Sequence, residues 1–141
     1  MKVDLSTRRR FDTVHEGDEL PAREVFLSKD QVRAYARAAG QWSARFTDDE
    51  GARREGLPGM ITPGNMSMGL LAMLVEGWAG AGTLCRLGTT FRGLVLPDRT
   101  IRLCGTVTEK DESARTVELD VWLEIDEGER AVIGTATVAL A

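Results

Sequence analysis

Along residues 114–125 apolar and acidic side chains take turns: Val117, Leu119, Val121, Leu123 and Ile125 are separated by Glu118, Asp120 and Glu124. A period of two puts one face on a core and the other in water, so the segment predicts a strand of a one-sided antiparallel sheet. Comparable runs at 83–94, 100–109 and 130–140 are parted by the turn formers Pro97-Asp98, Asp111-Glu112-Ser113 and Glu127-Gly128. Four successive strands with short connections predict a meander. Further upstream, a Gly17-Asp18 turn precedes a shorter alternating segment at 23–27.

Helical periodicity fills most of the interval between them. Ser28 with Gln31 forms a capping-box pattern and opens a helix over 29–39, with Val32, Tyr35, Ala36 and Ala39 on one face and Gly40 as the stop. Thr47 with Glu50 repeats the pattern and predicts a short polar helix that closes near Gly56, after a loop at 41–46. A third helix starts with Thr62 as cap and Pro63 in the first helical position and runs to about Ala79. It carries Met66, Met68, Leu70, Leu71, Met73, Leu74, Val75 and Trp78 in nearly every direction, so it should be enclosed. One enclosed helix followed by a long antiparallel sheet predicts an α+β chain, a single hot-dog domain over residues 1–141, in which a curved sheet wraps the helix.

Composition narrows the functional classes. At 141 residues, 43% hydrophobic and 28% charged, the chain suits one globular domain with one site. A net charge of −4 disfavours a nucleic-acid surface, and the basic run Arg8-Arg9-Arg10 reads as solvated charge. Cys85 and Cys104 lack metal-ligand spacing, the chain opens on Met1-Lys2-Val3-Asp4 rather than an apolar leader, and the longest apolar stretch, 66–75, is too short for a bilayer. These features predict a cytoplasmic protein with no metal, no cofactor and no membrane partner.

The spaced set Tyr35-Ala36, Gly40, Thr47-Asp48, Gly56-Leu57-Pro58-Gly59-Met60-Ile61, Pro63-Gly64, Trp78-Ala79-Gly80, Phe91-Arg92-Gly93, Pro97-Asp98 and Gly134-Thr135-Ala136-Thr137-Val138 resembles the MaoC-like (R)-specific enoyl-CoA hydratases and 3-hydroxyacyl dehydratases over about residues 16–140. The resemblance implies a hydro-lyase that works on an acyl thioester, borne by coenzyme A or an acyl carrier. The family places Gly-Asp-x-Asn-Pro-x-His-x-Asp after its first helix, where this chain reads Gly40-Gln41-Trp42-Ser43-Ala44-Arg45-Phe46-Thr47-Asp48. By that correspondence Gln41, Ser43 and Phe46 stand where the family has its catalytic Asp, orienting Asn and catalytic His. Hydration needs a base for the water and an acid for the α-carbon, and neither an amide nor a phenyl ring supplies one. Whether the chain is an enzyme therefore stays open.

The resemblance also implies an oxyanion-binding amide at Gly64, at the start of the apolar helix. Asn65 and Thr62 are candidate hydrogen-bonding neighbours; Met60, Trp42 and Phe46 are candidate acyl-pocket walls. Asp48 reads as a helix-dipole partner and the sole histidine, His15, as a surface residue. Glu76 is the one charge on the apolar helix: a substitute base in a hydratase or thioesterase, or a carboxylate that reaches water. Three readings follow: a weakly active or non-catalytic acyl-thioester subunit, homodimeric or paired with a catalytic hot-dog partner; an enzyme with a displaced acid/base; and a non-enzymatic acyl-binding or assembly module.

Overall fold

The computed structural model describes residues 6–141, so the opening Met1-Lys2-Val3-Asp4, on which the leader reading rested, lies outside the described residues. In chain order it contains a 3-10 turn (Phe11–Thr13), β1 (Glu19–Leu27), α1 (Lys29–Ala38), α2 (Ala44–Thr47), α3 (Asp49–Arg54), α4 (Gly64–Ala79), β2 (Thr83–Phe91), β3 (Arg99–Asp111), β4 (Thr116–Glu124), a second 3-10 turn (Asp126–Gly128) and β5 (Arg130–Ala139).

Local chemistry explains the helix ends. The Ser28 hydroxyl accepts from Gln31 N–H at 3.1 Å and Ser28 N–H donates to Gln31 Oε1 at 2.9 Å, which completes the anticipated capping box of α1. Val32 and Ala36 are buried on that helix, Tyr35 is half-buried, and Ala39 is exposed as the C-cap instead of extending the apolar face. The expected cap at Thr47 is corrected to Asp48. The Thr47 hydroxyl turns back to Ser43 O at 2.8 Å and ends α2, a helical turn inside the segment read as loop, while the Asp48 carboxylate accepts from Gly51 N–H at 2.9 Å and caps α3.

All five strands join one antiparallel sheet in the order β1-β3-β4-β5-β2. Only β3-β4-β5 is a meander, which corrects the four-strand expectation. β1 pairs along β3 from Glu19↔Thr106 to Leu27↔Arg99 and takes its free side, so β2 pairs with β5 instead, from Thr83↔Ala139 to Phe91↔Val132. The connection 92–98 then carries the chain from the edge strand β2 to β3. Midway along it Val95 is buried, and its carbonyl accepts from Thr62 N–H at 2.8 Å.

The helix α4 lies on the face of this sheet that the alternation of β4 makes apolar. Leu71, Leu74, Val75 and Trp78 pack into one core with Leu103, Leu119, Val121, Leu123 and Val138. Each such side chain removed from water contributes roughly 1.5–3 kcal/mol. The expectation of a helix enclosed all round is not met within one chain. Asn65, Gly69 and Glu76 are exposed along one stripe, and Met66, Met68, Leu70 and Met73 are only half-buried, because a single curved sheet covers one side of a helix.

The far end of α4 is held by the N-terminal segment. Arg9 Nε donates to Trp78 O at 2.6 Å and its guanidinium lies 4.8 Å from the Trp78 ring centroid. Arg8 and Arg10 are exposed, as solvated charge should be, and the correction is confined to Arg9, which satisfies a helix-end carbonyl. Gly80, at φ 62°, closes the helix so tightly that a Cβ there would sit 1.6 Å from Thr7 O. Among the described residues no helix is long and apolar enough to cross a membrane.

Candidate functional site

At the start of α4 several polar groups are left without partners. Pro63, not Thr62, occupies the N-cap position (φ −57°, ψ 139°), and Gly64 opens the helix. Both expectations for this entry are thereby shifted by one residue. Thr62 N–H donates to Val95 O in the 92–98 connection, Ile61 N–H donates to Arg45 O at 2.7 Å, and Met66 and Ser67 N–H both turn back to Pro63 O. The amides of Gly64 and Asn65 donate to no acceptor among the described residues. They stand at the positive end of a 16-residue helix dipole.

Thr62 adds a second unmet demand. Its residue is only 6% exposed, and its hydroxyl oxygen has no hydrogen-bond partner. A buried polar atom left in this state costs about 1–3 kcal/mol relative to a satisfied one. Thr62 and Gly64 line a cavity of about 210 Å³ together with Phe46 from α2, Ser67 from α4, Phe91 from β2 and Val132 from β5. None of the side chains that line it is ionisable.

Phe91 closes this cavity over the helix start. A Cβ at position 64 would lie 2.8 Å from Phe91 Cζ, so the ring rests directly on Gly64 and only a residue without a side chain admits it that closely. A larger depression of about 450 Å³ lies on the other face of the sheet, around Trp122, Arg130 and Thr135. The Arg130 guanidinium stacks 3.9 Å from the Trp122 ring centroid there, and no unpaired buried side-chain atom points to a ligand, so the smaller cavity is the better candidate.

The sequence-predicted residues divide accordingly. Phe46, Thr62 and Gly64 come together in the cavity. Gln41 follows α1, with its N–H on Ala36 O at 2.8 Å; its amide oxygen is buried and unpartnered, yet it does not line the cavity. Trp42 is 53% exposed, with the Arg37 guanidinium 4.8 Å from its ring centroid, and Ser43 is exposed. Met60 is buried in a satellite cluster with Val32 and Ala52. Asn65 is exposed in the first helical turn; His15 is exposed in the turn before β1. Glu76 is exposed in the last turns of α4, roughly 18 Å along the axis from Gly64 at 1.5 Å per residue. Phe91 and Ser67 were missed. Phe91 stands in the Phe91-Arg92-Gly93 piece of the resemblance, and alternation in β2 turns it to the helix side, but neither signal assigned it to the site.

One carboxylate outside the cavity helps to place its floor. Asp49 Oδ2 accepts from Lys29 Nζ at 2.8 Å and Oδ1 from Met60 N–H at 2.9 Å, which binds α1, α3 and the approach to α4 together. The Lys29 hydrogen bond, then that of Met60, hold its pKa below the ordinary carboxylate value. A depressed folded-state pKa stabilises above the unfolded value, near 3.8, and that stabilisation is lost as pH falls through the folded pKa. Asp49→Asn should therefore cost about 1 kcal/mol at neutral pH, discounted for partial exposure, and flatten the loss of stability below about pH 4 in urea titrations. An unchanged acid limb would show that Asp49 is not the group involved.

The sequence of residues 10–128 matches the family model described as MaoC like domain. Among solved structures the chain is similar to a MaoC-like dehydratase at 27% identity and TM-score 0.87, over 95% of this chain and 43% of that one. The chain thus spans less than half the length of that relative. It also shares its fold with the (R)-hydratase from A. caviae involved in PHA biosynthesis, at 18% identity and TM-score 0.86 over 92% of this chain and 98% of that one. A chain of the ChsH1-ChsH2 complex from Mycobacterium tuberculosis matches at 19% identity and TM-score 0.83, covering 92% and 99%. No curated protein matches the sequence.

Proposed function

The chain belongs to the MaoC-like domain family, and from that premise we propose that it holds an acyl thioester, on coenzyme A or an acyl carrier, with the thioester carbonyl at the start of α4. The observation that carries this reading is that Thr62, whose buried hydroxyl has no partner, and Gly64, whose amide is free, line one cavity at the start of α4. A carbonyl oxygen accepts from both, and the helix dipole favours the negative charge it carries.

Binding without ready conversion is the second half of the proposal. The absence of ionisable side chains from the cavity wall supports it, as does the resemblance that sets Gln41 and Phe46 where acid/base groups are expected. Glu76, the displaced base of the competing hydratase or thioesterase reading, is exposed and twelve residues down the helix from Gly64, and His15 is remote in sequence and exposed. We read the chain as half of a dimer, formed with itself or with a catalytic hot-dog subunit. Support comes from the half-exposed apolar face of α4 around Met68, Gly69 and Met73 and from the edge strand β2, bonded on one side only. The ChsH1-ChsH2 complex, by its name an assembly of two different chains, supports the heteromeric option. Two free cysteines, one of them the exposed Cys85, support a cytoplasmic setting.

Calorimetric titration of butyryl-CoA into the wild-type chain and Thr62→Val tests the reading. The wild type should bind. Thr62→Val should be as stable as wild type or up to about 1 kcal/mol more so, because it removes an unmet hydroxyl, yet bind about tenfold more weakly. Equal affinities would remove Thr62 from the site, and no binding by the wild type would end the proposal.

A further inference from the structure

We propose that Phe91 sets the size of the acyl group that the cavity admits; the proposal rests on the thioester reading and adds a specificity-determining residue to it. Phe91 is the last residue of β2, paired with Val132 of β5, and its side chain turns toward α4. Its ring tip and both neighbouring ring carbons lie 2.8–3.1 Å from where a Gly64 Cβ would be. Phe46 stands in the wall with it, so two aromatic rings bound a space of about 210 Å³ next to the Thr62 hydroxyl.

That volume is selective. An apolar cavity of about 150 Å³ accepts one benzene molecule, so this one accommodates a short acyl group and not an extended one. The ring is also the adjustable part of the wall. Phe91 is 52% exposed, and the atoms that touch Gly64 are at the far end of the side chain, so rotation about its side-chain bonds moves them without moving the strand. Thr62, Ser67 and Val95, by contrast, are buried and backbone-anchored. Removing the ring would open the cavity toward Leu94, which is 44% exposed at the mouth, and leave a path for a longer chain.

The test is titration of saturated acyl-CoAs of increasing length into the full chain and into Phe91→Ala and Phe91→Leu, with urea unfolding as the folding control. Wild type should prefer short acyl groups, with affinity falling about tenfold or more per methylene once the space is filled. Phe91→Ala should shift the preferred length upward, and Phe91→Leu should shift it less, whatever either does to absolute affinity. Binding with an unshifted length profile in either folded variant overturns the role of Phe91 and leaves the thioester reading standing. Failure of the wild type to bind any acyl-CoA overturns both.

Discussion

Leu71→Ala should lower the unfolding free energy by about 2–5 kcal/mol, the range for burying a cavity in place of a leucine side chain. Leu71 is fully buried at the middle of α4, in one cluster with Leu103, Leu119, Val121 and Leu123. Because α4 contacts all five strands, a void at its middle lies inside the packed core, where the β-sheet backbone cannot close over it. The adjacent Leu70 provides the control: it is only half-buried, so Leu70→Ala should cost clearly less. Equilibrium urea unfolding of both variants measures the difference. Equal losses would mean that the sheet does not set the buried side of the helix.

The largest expected effect concerns turnover. The chain alone should hydrate enoyl thioesters at a rate at least about 10²- to 10⁴-fold below a dyad-bearing hydratase, the contribution ordinarily made by one positioned acid or base. The estimate follows from what lines the cavity. Phe46 presents a phenyl ring, Thr62 and Ser67 present hydroxyls that do not ionise near neutral pH, and the other wall residues are apolar or glycine. Oxyanion stabilisation by the Gly64 amide would survive, but it acts on an intermediate that needs a proton-transfer partner to form. Adding a dyad-bearing hot-dog partner should raise the rate of the mixture only through the partner's own residues.

Much of the fold was legible where the chemistry is local. Ser28 and Gln31 carry their capping box within four residues, and the alternation of Val117, Leu119, Val121 and Leu123 needs no knowledge of neighbours. Thr47 and Asp48 are adjacent cap formers, and the choice between them was made by a Thr47 hydroxyl that returns to Ser43 O, a bond that no pattern announces. The place of β2 was harder still. The short connection 92–98 reads as a turn between partners, whereas strand order is decided by β1, some sixty residues upstream, which takes the side of β3 that β2 would have used.

The candidate site was legible in the segment around the helix start, Thr62-Pro63-Gly64, and in Phe46 through the resemblance. The remaining walls come chiefly from Ser67, the 91–95 segment and Val132, which only the folded sheet brings together. Trp42 and Met60 show the converse. Both suit a pocket by type and position, but Trp42 stacks with Arg37, and Met60 packs on Val32 and Ala52 and borders a different depression, beside Asp49.

The most direct test is to saturate the purified polypeptide with crotonyl-CoA, at a concentration fixed by its own binding isotherm, and follow loss of the conjugated double bond with no other protein present. Occupancy near complete, with hydration at least about 10²-fold slower than by a dyad-bearing hydratase, is the expected result. Full occupancy accompanied by rapid, enzyme-dependent hydration would contradict the claim that this cavity holds its ligand without converting it.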